Sequence, residues 1–151
     1  MKTKQSQLNA LRNTMQQADL LLKKTAHHLV FGEGSADAEI FFVGEAPGKN
    51  EDLKGLPFIG SAGKILDQLL KSIHLQRSDV YITSILKYRP PNNRNPALNE
   101  IIDHTPYLVD QIRIIKPKIL VPLGNFATRF ILNGFSVENM QKIPGISNLH
   151  G

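Results

Sequence analysis

Three clusters in this sequence have residue types and spacing that could do chemistry. The first is Gly44-Glu45-Ala46-Pro47-Gly48. A small turn bounded by glycine lets a ligand approach the backbone closely. Glu45 sits at its start, where a carboxylate could orient a water or bond the edge of a planar ring; an ordinary strand-to-loop turn reads the same way. The second is Glu51-Asp52 followed by Gly55, Pro57-Phe58, Gly60 and Ala62-Gly63. A phenyl face there could stack on a planar base, an interaction worth about 1–3 kcal/mol. Phe58 could equally plug the core, with Glu51 solvated. The third is the stretch Lys87–Pro96, where Lys87, Arg89 and Arg94 with Asn92 and Asn93 suit phosphate and base contacts held by stiff prolines. A solvated basic loop is the competing reading.

Other motifs fail on spacing. Gly63-Lys64 is no phosphate-binding loop, because Phe58 stands where the leading glycine belongs and Ile65 follows the lysine. Gly32-Glu33-Gly34 is no dinucleotide fingerprint: it precedes a strand, and Asp37 occupies the position of the third glycine. His27 and His28 are adjacent in a polar stretch, and His74, His104 and His150 are scattered, so no metal site is expected. The absence of cysteine removes disulfides, thiolate metal sites and a cysteine nucleophile.

The elements that must position these clusters follow from periodicity. Leu8, Leu11, Met15 and Leu20–Leu22 predict a helix over 3–24. Residues 38–44 read as a buried strand, and 45–59 as an irregular loop. Ile65, Leu66, Leu69, Leu70 and Ile73 make an apolar stripe on a helix over 61–74. A second strand is expected over 80–86. Helical spacing at 97–115 is interrupted by Pro106, which predicts two helices, the second beginning at that proline. A third strand over 118–124, a short helix over 126–132 and a turn-like tail over 143–151 complete the chain. Strands alternating with helices imply right-handed crossovers and a parallel sheet covered on both faces. Ligands of such sheets bind at the carboxyl ends of the strands, where all three clusters or their neighbours fall.

The chain of 151 residues fits one domain spanning 1–151. Its 41% hydrophobic content is enough to build a core without metal or disulfide staples. Eighteen Lys and Arg against 13 Asp and Glu leave a net charge of +5, compatible with a polyanionic partner. No apolar run reaches membrane-spanning length and residues 1–14 lack a signal-peptide core, so a cytoplasmic monomer with no membrane partner is the expectation.

Taken together, these segments resemble the family-4 uracil-DNA glycosylases. The likeness is carried by Phe31-Gly32-Glu33-Gly34 through Ala38–Gly48, by Glu51-Asp52 through Gly55–Leu66, and by Val80-Tyr81-Ile82-Thr83. It continues in Lys87–Arg94 and in Pro106-Tyr107-Leu108 with Gln111-Ile112. The resemblance implies a three-layer α/β/α sandwich around a short parallel sheet. It also implies hydrolysis of the N-glycosidic bond of uracil, or a related deaminated base, in single- or double-stranded DNA after the base has left the stack. By position, Glu45 or Glu51 would help place the water. Ala46, Phe58 and Ser84 would line the uracil pocket, with Phe58 stacking on the base. Pro47, Gly48, Lys87, Arg89, Asn92, Asn93 and Arg94 would grip the strand.

The departures from the family carry implications of their own. Its four cysteines, which hold a [4Fe-4S] cluster, fall near Gln17 and Leu20, at Tyr88 and at His104, so no cluster and no other cofactor is expected. Ser84 stands where an asparagine typically reads the uracil edge. The last strand and its His-Pro-Ser-like loop have no counterpart, and His150 precedes the place. The alternative to an active glycosylase is therefore an impaired homologue that binds DNA or uracil without efficient cleavage; a general nucleotide-binding α/β domain is more remote.

Overall fold

Side chains alternate between faces along a strand, and this alternation decides which helices the central strands meet. In the computed structural model, which describes residues 2–136, β2 (Ile40–Gly44) sends Phe41 and Val43 to one face and Phe42 to the other. The neighbouring β3 (Tyr81–Ser84) does the same with Tyr81 and Ile82. Three helices, α1 (Lys4–Gln17), α4 (Leu98–Ile115) and α5 (Asn125–Leu132), bring Leu8, Met15, Leu108, Ile115, Ala127 and Phe130 to the larger core. On the opposite face α3 (Ser61–Ser72) packs Leu66 and Leu70 against Phe42, Val80 and Ile82. The result is an α/β/α sandwich.

The three expected strands are parallel, in the order β3-β2-β4, with β4 spanning Ile119–Pro122. Their register sets Gly44 beside Ser84 at the carboxyl ends. The all-parallel expectation needs one correction. The turn-rich stretch before β2 contributes a two-residue strand, β1 (Glu33–Gly34), antiparallel to β3 at the sheet edge.

Three further differences have physical causes. First, α1 ends at Gln17 and not near residue 24, because Ala18 is extended and Leu22 adopts a left-handed φ of 74°. The Leu20–Leu22 run that mimics helical spacing instead folds across α4, where Leu21 N–H donates to Asp103 at 2.7 Å and Leu20 is buried. Second, Pro106 does not divide α4, which runs unbroken through it. Both Pro106 and Ile102, whose carbonyl loses its amide partner, face solvent, so water can serve that carbonyl. Third, the 45–59 segment contains a short helix, α2 (Lys49–Lys54). Its first turn holds Glu51 and Asp52, favourable near the positive end of the helix dipole. The turn-like reading of 143–151, and with it His150, lies outside the described residues. Among the described residues no helix is long and apolar enough to cross a membrane.

Candidate active site

A cavity of about 230 Å³ opens at the carboxyl ends of β2 and β3. Its walls are the Ala46-Pro47-Gly48 turn, Glu51, Pro57, Phe58, Ala62, Ser84 and Val30. Wider hollows of about 450 and 420 Å³ border Leu20 and Asn99, but they are lined by residues 19–25, α4 and Pro91–Arg94, not by strand ends. The smaller cavity is the one the fold directs chemistry toward.

Phe58 is half-buried and edges this cavity. Its backbone takes the left-handed conformation, φ 51°, which costs a residue with a side chain about 1–2 kcal/mol. The ring lies over Gly44 so closely that a Cβ there would collide with it. Glycine at the end of β2 is thus what admits the ring. The Ser84 hydroxyl lies 3.2 Å from the same Cβ position, and Ser84 is nearly inaccessible to solvent. An aromatic face, a hydroxyl and the 46–48 turn therefore converge on one hollow.

The two glutamates differ sharply. Glu51 accepts hydrogen bonds from the backbone amides of Gly48 at 3.0 Å, Ile59 at 2.9 Å and Gly60 at 2.8 Å. Burial alone would raise its pKa, but the Ile59, Gly60 and Gly48 amides outweigh burial and hold it below the ordinary carboxylate value. Glu51 thereby ties the 46–48 wall to the Phe58 wall. Glu45 is half-buried and lies outside the cavity lining, with its carboxylate 3.3 Å from where a Cβ at Gly124, beyond the tip of β4, would sit. Burial raises its pKa. Asp52 points away from the cavity wall. It accepts from the His27 amide and ring Nδ1, both at 2.8 Å, and from the His28 amide at 3.2 Å. Burial pushes its pKa up, and these His27 and His28 bonds more than offset it, so the carboxyl stays acidic. His28 Nδ1 in turn lies 2.8 Å from the Asp52 carbonyl.

The basic stretch does not join the cavity. Lys87, expected to contact DNA, is fully buried, and its Nζ bonds Thr83 Oγ1 and, at 2.6 Å, Gln111 Oε1. The polypeptide after β3 stays inside the core through Leu86, and the lysine stem continues inward, so a DNA contact by Lys87 is withdrawn. Burial drives its pKa well below the usual lysine value. Arg94 is half-exposed but forms a forked pair with the buried Glu100 at 2.8 and 2.6 Å. Arg89 Nε donates to Asn93 at 2.7 Å. Asn92 and Asn93 are exposed, each with φ 56°.

Of the residues singled out from sequence, Ala46, Pro47, Gly48, Glu51, Phe58 and Ser84 meet in the cavity. Glu45 stands beside it, and Lys87, Arg89, Asn92, Asn93 and Arg94 line none of it. Sequence reasoning missed Val30 as lining, and placed Pro57 and Ala62 in the second cluster without giving either a role. It also missed Arg77, whose guanidinium bonds the Pro57 and Phe58 carbonyls. The approach of Pro57 and Ala62 was readable from their closeness to Phe58; nothing in the spacing marked Arg77.

A profile of the Uracil DNA glycosylase superfamily matches residues 31–148, a stretch that contains every wall of the cavity except Val30. The chain belongs to the uracil-DNA glycosylase superfamily. It is 55% identical over 117 residues to a type-4 uracil-DNA glycosylase of Archaeoglobus fulgidus, covering 78% of this chain and 59% of that protein. A type-4 enzyme of Sulfurisphaera tokodaii is 51% identical over 77% of this chain and 54% of its own length. One of Thermotoga maritima is 44% identical over 78% and 61%. The chain thus spans somewhat over half the length of these relatives.

Four positions stand where the family resemblance would place cluster-ligating cysteines. Leu20, Tyr88 and His104 are buried, and the Tyr88 and His104 rings meet edge-on at 5.9 Å. His104 Nδ1 accepts the Lys87 amide at 3.0 Å, and Nε2 lies 2.9 Å from the Leu21 carbonyl. Burial lowers its pKa, consistent with a neutral ring donating through Nε2. Gln17 is exposed at the end of α1. With no thiolate and both imidazole nitrogens engaged, this donor set does not fit an iron–sulfur cluster.

Proposed function

We propose that this protein hydrolyses the N-glycosidic bond of uracil in DNA. The observation that carries the reading is the hollow beside Gly44, whose lining includes both Phe58 and Ser84, the ring and the hydroxyl meeting near Gly44. At about 230 Å³ it falls below the roughly 300–1,000 Å³ of drug-sized pockets and is on the scale of one extruded base. The base lies against Phe58, Ser84 offers a hydroxyl to its edge, and the Pro47-Gly48 turn lets the sugar approach the backbone.

Glycosidic cleavage builds positive charge on the sugar and negative charge on the departing base. Glu45 takes the water side in this reading. Its burial raises its basicity above that of a free carboxylate, as a general base requires. Glu51 is less suited, because three amides occupy its oxygens and keep its pKa low. It acts as a positioning residue that joins the two walls. The iron–sulfur cluster has no part in this reading. Packing of Leu20, Tyr88 and His104 takes over its structural place.

The test incubates the protein with single- and double-stranded oligonucleotides carrying one uracil and scores alkali-labile breaks at that position. Breaks at uracil and not at cytosine support the proposal. Salt-sensitive binding with no breaks on either substrate would contradict it.

A further inference from the structure

The stacking wall is held from behind by a residue outside the cavity. Arg77 lies in a single 3-10 turn (Arg77–Asp79) just before β3. Its side chain is four-fifths buried. One guanidinium nitrogen donates to the Pro57 carbonyl at 3.1 Å, and the other bonds the Phe58 carbonyl itself. Nε donates to Asp67 of α3 at 2.6 Å, and Glu33 of β1 lies 3.8 Å away. The Phe58 carbonyl rests directly on the first turn of α3: a Cβ on Gly63 would collide with that oxygen. The two amides that follow Phe58, those of Ile59 and Gly60, are gripped by Glu51.

A phenylalanine at φ 51° sits in a conformation that persists only where surroundings over-determine it. Here the carbonyl before the next peptide is fixed by Arg77 and the amides after it by Glu51. Arg77 suits this task because its planar fork can serve two carbonyls while a third N–H is anchored elsewhere.

We propose that Arg77 is a positioning residue: by holding the Phe58 backbone in its left-handed turn, it keeps the ring against Gly44 in the plane that stacks on a flipped pyrimidine. This rests on the base-excision reading of the cavity. Arg77 touches neither base nor sugar; it acts through the ring.

Two measurements test it. Single-turnover excision on uracil DNA is followed across enzyme concentration for the wild type, Arg77→Ala, Arg77→Lys, Phe58→Ala and the double variant. Arg77→Ala is expected to raise the half-saturating concentration about tenfold, within the range of one lost stacking contact, with the limiting rate little changed, as for loss of uniform binding. Arg77→Lys recovers most of this, since an ammonium still reaches one carbonyl. In the double variant Arg77→Ala adds nothing to Phe58→Ala; an additive loss would overturn the proposal. The second measurement needs no activity. A Phe58 ring held this close to Gly44 should shift the Gly44 α-protons in the NMR spectrum of the free protein. Arg77→Ala should abolish that shift as Phe58→Ala does, and Arg77→Lys should retain it. Asp67→Asn, a milder change that keeps the fold, should reduce it. If wild-type protein excises no uracil, the glycosylase reading fails, yet the Gly44 shift still decides the role of Arg77. An unchanged shift in Arg77→Ala and in Asp67→Asn overturns it.

Discussion

The chemistry assigned to Glu45 and Glu51 separates on what their oxygens already hold. Glu51 accepts three backbone amides, so its substitution disturbs two walls at once. Glu45 is held by burial, with a pKa above the ordinary value. A carboxylate acting as base needs its proton off, so activity should fall as pH drops through that raised pKa. Glu45→Gln should lower single-turnover excision by about 10²–10⁴-fold and remove this acidic limb from the pH–rate profile; an intact limb in the variant would reassign the base. Lys87 makes a different prediction. Its folded pKa is depressed by burial, so just below the free-lysine value the unfolded chain binds more protons than the folded one. Stability should therefore rise with pH, by up to about 1.4 kcal/mol per unit for one proton. Denaturant titrations from about pH 8 to about pH 10, just below the free-lysine pKa of about 10.4, should show this slope reduced in Lys87→Met. At this scale the cavity was largely legible: the Gly44–Gly48 turn, Phe58 and Ser84 lie close to strand ends, and strand ends are where parallel sheets bind ligands. The fate of Lys87 was not legible. A basic residue beside Arg89 and two prolines reads as surface, and only the partners Thr83 and Gln111, the latter 24 positions away, explain its burial.

Elements show the same division between local signals and distant partners. The strands β2, β3 and β4 were readable because short apolar runs ending in glycine or turn residues leave few alternatives. The end of α1 was not, because Leu20–Leu22 satisfy helical spacing while their actual contact, Asp103 of α4, is 82 residues on. Pro106 misled for the opposite reason: a proline breaks most helices, yet the carbonyl it orphans here faces water. The start of α4 depends on the Arg94–Glu100 fork and on Glu100 accepting the Ala97 amide at 2.8 Å. Arg94→Ala should lower the melting temperature while leaving the salt dependence of DNA binding unchanged. A shallower salt slope would instead show that Arg94 meets a phosphate.

For the molecule as a whole, the question is how the sandwich stays together where the family resemblance would place a metal cluster. Here Leu20, after α1, and Tyr88, after β3, are buried in the same core, and His104 of α4 meets the Tyr88 ring edge-on while bonding the Lys87 and Leu21 backbone. The melting temperature should be unaffected by iron chelators or by exposure to air, and the purified protein should lack visible absorption. Chelator-induced unfolding would contradict the packing account. The basic balance of +5 suits an anionic partner in general, but the cavity beside Gly44 is what makes the account specific. The most direct measurement quantifies, by mass spectrometry, the free base released from uracil-containing single-stranded DNA by wild-type protein and by Phe58→Ala, both at concentrations well below half-saturation. The account predicts uracil from the wild type and a loss of most of that release in the variant. Equal release from both, or none from the wild type while it still binds the strand, would contradict it.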